Sequence, residues 1–445
     1  MEGEIPRPES RENPRWSVAH RIAFRFVVCY FLLYLVPADL PFTGFLVRPH
    51  EALWTPVVTW VARHVFHTRY EIYPIDGEAA ISNTAYGSIL FLCYLALAAV
   101  AALIWSALDR RRANYERLDP WLRLLLRYSL ATAMIMYGAL KVIPTQMPSP
   151  LPLGLLRQRV GDLPPMRLLW IFVGSSPPYE MFTGAAELLG GVLLLVPRTV
   201  LLGSLVCFAD LVMVVTLNLC FDVHVKLFSL HLLFMAFLLI VPDIPRLTRL
   251  FLLNRPVEPA VTPPLFARPR LDRIPHLLLF LFGIYWIGAR FNDSYHRYQV
   301  FHPPPPPLYG VWAARQFSLD GKVIPPLTDP QRWRWVTFQY AEVMSVELAI
   351  GSDQRYAVDV DMPRKRIILA KARWDPERGV VVKDAAGHPL KEPGWQAELA
   401  FDQPTPDDLV LDGLVDGHHL HTKLSKIAQL RDNFRWIIVL PKEDR

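Results

Sequence analysis

Lys141, Glu187, Asp222 and His231 are ionisable side chains set among residues that are otherwise mostly apolar. They fall in three short polar clusters: Tyr137 to Lys141 (YGALK), Glu187 within GAAELLGG, and Asn218 to His231 (NLCFDVHVKLFSLH). A charge in hydrocarbon is costly unless it is paired, reaches the interface, or faces water inside a bundle. A lysine, two carboxylates and an imidazole drawn together would move protons or hold a polar head group. Lys141, Glu187, Asp222 and His231 are therefore the candidate catalytic residues. Tyr137, Gln146, Asn218, His224 and Lys226 are the candidate cofactor-binding residues around them.

Each cluster also admits a plainer reading. Lys141 follows Tyr137 by one helical turn, so the phenol and the ammonium share a face; a lysine ending a span can equally snorkel to the outer interface. Glu187 is too short to snorkel and must pair with a cation or stay protonated. A Lys141 to Glu187 pair that only holds the bundle together is the structural alternative. Gly184, Gly190 and Gly191 permit close helix approach around Glu187. Asn218, Asp222, His224, Lys226 and His231 crowd the turn between two apolar stretches, where a solvated helix-capping loop is the plain alternative. Asp210 extends that polarity inward, and Gln146 in TQMPSP is expected to fold back over the same mouth.

Positioning these residues requires a membrane bundle. Hydrophobic residues make up 52% of the 445-residue chain and gather in long runs, as bilayer segments do. A span needs about 20 apolar residues. Candidate spans lie near 22–37, 84–107, 121–143, 178–197, 199–219, 226–242 and 274–290, about seven in all. Residues 53–66, with Trp54, Trp60, Arg63 and His64, read as an interfacial helix, and 167–175 as a short, partly inserted one. Arg110, Arg111, Arg112 and Arg117 crowd one connection, and Arg246, Arg249, Arg255, Arg268 and Arg270 another; both are expected to be cytoplasmic. The tail at 1–20, with Arg7, Arg11 and Arg15, is then expected to be cytoplasmic too, in a multipass protein of the cell (inner) membrane. No cleavable signal peptide is called for.

The membrane domain is expected over 21–292, a Pro-rich linker over 293–307, ending in the run Pro303 to Pro307, and an extracytoplasmic β domain over 308–445. Short β-rich runs such as RWVTFQY, YAVDVD and RIILAK follow the prolines, and Asp320-Gly321 and Asp416-Gly417 are hairpin turn signals. About eight to ten antiparallel strands make a barrel or a sandwich. Gly310-Val311-Trp312 resembles the G-x-W that opens lipocalin-type barrels, with Arg435 placed to cover the tryptophan. The fold class is thus an α-helical membrane bundle with a C-terminal antiparallel β domain.

Several function classes are excluded by what is missing. The formal charge of +6 comes from arginines flanking apolar runs, so no nucleic acid partner is expected. Phosphate-binding and hydrolase-elbow motifs are absent. Cys29, Cys93, Cys207 and Cys220 show no metal spacing. His419 and His421 alternate on one strand without an evident third ligand, so no metal is expected.

On the G-x-x-K of Gly138 to Lys141, the E-x-x-G-G of Glu187 to Gly191 and the tightly turned pair of spans that follows, residues 120–242 resemble the DoxX family of small four-helix membrane proteins. That resemblance implies a quinone-linked redox role, with Lys141 and Glu187 as site residues, quinone as cofactor and an outer redox partner. The T-Q-x-x-x-P-x-P stretch and outer β domain are also similar to lipase maturation factors and, more remotely, vitamin K-dependent carboxylases. The alternative function is therefore a non-enzymatic assembly or lipid-binding module acting on an exported client through its β domain.

Overall fold

Long apolar stretches give long helices here, and alternating stretches give strands. The computed structural model describes residues 15–35, 44–69, 72, 84–147, 151–259, 264–326, 329–375, 380–382, 384 and 388–427. The chain divides into two compact units, one comprising 1–146 and 178–297, the other 147–177 and 298–445.

The first unit is helical: α1 (Val18–Leu35), α2 (Val47–His64), α3 (Ala85–Leu108), α4 (Asp119–Val142), then α6 (Pro177–Leu195), α7 (Val200–Cys220), α8 (Lys226–Ile240), the short α9 (Ile244–Leu247) and α10 (Pro269–Phe301); α5 (Pro165–Gly174) belongs to the second unit. Among the described residues five helical stretches are long and apolar enough to cross a membrane: Val18–Leu35, Ala85–Leu108, Pro197–Cys220, Lys226–Leu252 and Pro269–Phe301. The expected spans at 121–143 and 178–197 are helices α4 and α6 but fall short of that measure. The physical reason is composition: α4 carries Asp119, Arg123, Arg127 and Lys141, and α6 carries Glu180 and Glu187. Of these charges, Arg127 is met inside the bundle. Arg127 donates to the carbonyls of Leu194 and Leu195 (2.7 Å to the latter), so a buried guanidinium satisfies the open C-terminal end of α6. Arg25, buried in α1, donates to Tyr115 Oη, Ser106 Oγ and the Asp109 carbonyl at 2.7–2.8 Å.

Glycines set the spacing of α4, α6 and α7. A Cβ on Gly138 would stand 2.7 Å from Leu188 N, one on Gly191 would meet Ile135 and Ala131, and one on Gly203 would meet Leu193 and Leu194. Backbones therefore touch, as small residues allow in apolar bundles. Large apolar side chains such as Leu103, Phe182 and Met213 remain exposed on the outer faces, which suits hydrocarbon as solvent.

The second unit is built on β1 (Gly310–Leu319), β2 (Lys322–Val323), β3 (Trp333–Tyr340), β4 (Val343–Leu348), β5 (Asp353–Asp361), β6 (Arg366–Ala372), β7 (Trp374–Asp375), β8 (Val380–Val381), β9 (Lys391–Thr405), β10 (Asp408–Val415) and β11 (His418–Lys426). The order β11-β10-β9-β6-β5-β4-β3-β1, closed by β11 against β1, makes an eight-stranded antiparallel barrel with β2 as a short extension and β7-β8 as a separate ribbon. Closure removes the edge strands, and the barrel-or-sandwich alternative resolves to a barrel. Both expected hairpin turns have positive φ at their two central residues, Asp320 and Gly321 (50° and 78°), Asp416 and Gly417 (53° and 83°), as a type I′ turn requires.

Trp312, Val336, Met344, Val346, Ile367, Leu369, Leu399, Leu409 and Leu411 fill the interior with no solvent exposure. Trp312 donates to the Leu308 carbonyl at 2.8 Å, and the Lys426 ammonium of the paired strand lies 5.6 Å from its ring centroid. Arg435, expected over this tryptophan, lies outside the described residues. The linker also differs from expectation, since α10 runs on through Phe301 and the non-helical part begins only there. The segment Leu153–Arg157 packs on the barrel. Leu153 N donates to Gln339 Oε1 at 3.0 Å, and Arg157, its side chain 9% exposed, reaches Glu347 at 2.9 Å and Asp353 at 3.4 Å.

Candidate functional site

Helices α4, α6 and α7 bring charged side chains towards one another in the first unit's interior. Lys141, in the last turn of α4, reaches across to Glu187 on α6, its Nζ donating to Oε1 at 2.5 Å. The close approach of α4 and α6 at Gly138 and Gly184 brings the two side chains together: a Cβ on Gly184 would collide with Lys141 itself. Glu187 is 4% exposed, and its second oxygen, Oε2, accepts no hydrogen bond among the described residues. Asp210, on α7, stands within electrostatic reach of both Glu187 and Lys141 and likewise has a buried oxygen, Oδ2, without a hydrogen-bond partner. Such groups are expensive in a low-dielectric interior unless a partner or proton meets them.

The residues of the 218–231 segment separate. Asp222 holds a left-handed backbone (φ 53°) in the turn between α7 and α8, and its exposed carboxylate accepts from Lys226. The Lys226 ammonium one turn later holds that carboxyl below the usual carboxylate range. His224 is exposed beside it. Asn218 turns inward and donates to Ser229 Oγ at 3.0 Å, bracing the two helices. His231 lies deeper, its Nδ1 bonded to the Leu227 carbonyl at 2.5 Å and its Nε2 to Tyr30 Oη of α1. With Nδ1 the donor, Nε2 accepts from the phenol. The Tyr34 ring stacks on the imidazole at 4.0 Å. Tyr137 packs on Phe228 of α8 at 5.9 Å between ring centroids, and Gln146, just beyond α4, has a buried Oε1 that accepts no hydrogen bond.

The expected single pocket is thus two centres and a surface pair. Lys141 and Glu187 meet as expected. Asp222 is paired with Lys226 instead, because the tight left-handed turn points it to solvent, and the carboxylate that approaches Lys141 and Glu187 is Asp210. The signal for Asp210 was present, an acid inside an apolar span. Tyr30 and Tyr34 gave no such signal, since tyrosine is ordinary in a span and the meeting of Tyr30 with His231 joins residues 201 positions apart. On the barrel, His419 and His421 both face Asp412, at 3.3 Å and 2.7 Å. Among the described residues no group of three or more histidine, cysteine or acidic side chains is disposed to hold a metal ion.

No family model matches the chain, and no solved structure matches it. Among curated proteins it is similar to the uncharacterized protein YwoB of Bacillus subtilis (strain 168), 41% identical over 76 residues, which are 17% of this chain and 49% of that protein. The chain thus spans about half the length of the relative it matches.

Proposed function

We propose that this chain is a multipass, DoxX-like membrane protein that binds a quinone head group beside the Lys141–Glu187 pair and serves as the membrane component of a quinone-linked redox system. Seven crossings, with α4 and α6 added to the five apolar helices, put the arginine-rich connections at Arg110–Arg112 and Arg246–Arg270 on the cytoplasmic side and the barrel outside. The observation that carries the reading is the buried ion pair with one unpartnered carboxylate oxygen. A pair kept only for packing is a weak stabiliser, because desolvation offsets much of its attraction.

The residues present fit the group. A quinone's carbonyl oxygens require hydrogen-bond donors, and Lys141 carries three N–H donors, of which Glu187 takes one. Tyr137, one turn earlier, adds a phenol at the same end of α4. When bound, a quinone supplies the redox carrier chemistry that no side chain offers. Lys141 orients the carbonyl oxygen, Glu187 holds the ammonium in place and accepts or releases a proton through Oε2, and the surrounding leucines exclude water. Electrons come from or pass to an outer partner.

Quinone retention by the purified protein tests this reading. Lys141→Ala and Glu187→Gln are each expected to lower quinone affinity at least about tenfold, the equivalent of losing one charge-assisted hydrogen bond, while the protein still elutes as a folded species. Unchanged affinity in both variants would count against the proposal.

A further inference from the structure

Helices α6 and α7 run antiparallel in a constant register. Gly203 of α7 lies level with Leu194 of α6, and Gly190 lies level with Cys207, where a Cβ on Gly190 would run into the Cys207 Sγ. Gly203, Cys207 and Asp210 share one face of α7, as Glu187, Gly190 and Leu194 share one face of α6. The next step along this seam sets Asp210 level with Glu187. Lys141 enters the same level from α4.

The cluster therefore holds two carboxyl groups against one ammonium. The titratable groups that face Asp210 are Glu187 on α6, Lys141 on α4 and the Cys207 thiol on its own helix. With all three charged groups ionised, one negative charge is left uncompensated among apolar side chains, and Glu187 Oε2 and Asp210 Oδ2 both lack a hydrogen-bond partner. Glu187 is itself 4% exposed. An isolated buried carboxylate takes up a proton more cheaply than it stays charged, and two carboxyl groups set level across an apolar seam titrate as a coupled pair.

We propose that Glu187 and Asp210 share one exchangeable proton, which makes the seam between α6 and α7 a proton store beside the Lys141 ammonium. The inference rests on reading this cluster as the bundle's working centre. The proton resides on one carboxyl group or the other, neutralises the excess charge, and leaves Lys141 compensated by the remaining carboxylate. Asp210 is then a functional residue of the site, and a change at the Lys141 end, such as a new acceptor for its N–H groups, alters the proton's affinity through the shared charge.

Infrared spectroscopy of the full-length protein in lipid nanodiscs, free of quinone, reads the carboxyl C=O stretch at neutral pH. The wild type is expected to show a protonated-carboxyl band that both Asp210→Asn and Glu187→Gln remove, because either change leaves one carboxylate for one ammonium. Asp402→Asn, an exposed barrel position, is expected to leave it in place. A wild-type spectrum without the band, or a band that survives both substitutions, overturns the proposal. So does loss of the band on adding sodium chloride with retention of sodium, which would make the seam an alkali-cation site. With quinone absent, failure of quinone binding leaves this result standing, and failure here leaves the quinone reading to rest on Lys141 and Glu187 alone.

Discussion

Lys141 and Glu187 are the residues on which the bundle's electrostatics turn. Their side chains are 11% and 5% exposed, so removing one partner strands the other in a medium that cannot solvate it. Lys141→Met is accordingly expected to destabilise the protein by about 3–5 kcal/mol. The double variant Lys141→Met/Glu187→Leu, which strands neither charge of the pair, is expected to recover most of that loss. Thermal unfolding in detergent of both single variants and the double gives the coupling energy directly. Additive losses would mean that the two groups do not support one another. Arg127 makes a different point at the same scale. Among the described residues no carboxylate pairs with this buried cation, and two carbonyls at the end of α6 take the place of one.

At the scale of the element, the α4–α6 contact is decided by glycine. Gly184 has Val142 N at 2.8 Å and Gly138 O at 2.9 Å from where a Cβ would stand, and these are backbone atoms that cannot give way. Gly184→Ala is expected to cost about 1–3 kcal/mol by overpacking and to pull Lys141 away from Glu187, weakening quinone retention as well. Gly288, on α10, has nothing within 4 Å of its Cβ position. The same substitution there is expected to be neutral or to stabilise by up to about 1 kcal/mol through helix propensity. Opposite signs in parallel melting curves would tie the loss to the seam. Equal effects would tie it to glycine in a helix generally.

At the scale of the whole molecule, the connection from α4 to α6, which joins the helices bearing Lys141 and Glu187, is tied to the barrel wall through Arg157, Glu347 and Asp353. Burial pushes the Glu347 carboxyl above its ordinary value, against the opposing pull of Arg157 and Arg334. The folded state therefore holds the proton more tightly than the unfolded chain does. Below the ordinary glutamate value both states are protonated. As pH rises from there through the raised native value, the unfolded state ionises first and the group's contribution to stability falls. Glu347→Gln is expected to flatten the pH dependence of barrel unfolding over that window, followed by tryptophan fluorescence. An unchanged slope would show that Glu347 does not carry it.

How much of this was legible beforehand follows from where each property resides. Apolar run length and alternation are local, so the helices near 22–37, 84–107, 199–219, 226–242 and 274–290, the strand runs and both Asp-Gly hairpins could be read residue by residue. The Lys141–Glu187 pairing was also within reach, because a buried carboxylate with glycines beside it calls for a cation and few lie at that level. Barrel closure was not, since β1 meets β11 across about a hundred intervening residues and no local signal encodes it. Nor was the exchange of Asp222 for Asp210. The charges and apolar faces were written in the chain, but which of them meet depends on the register of α6 against α7 and on a left-handed turn at Asp222. Register is set by the packing of whole helices, and only the assembled bundle decides it.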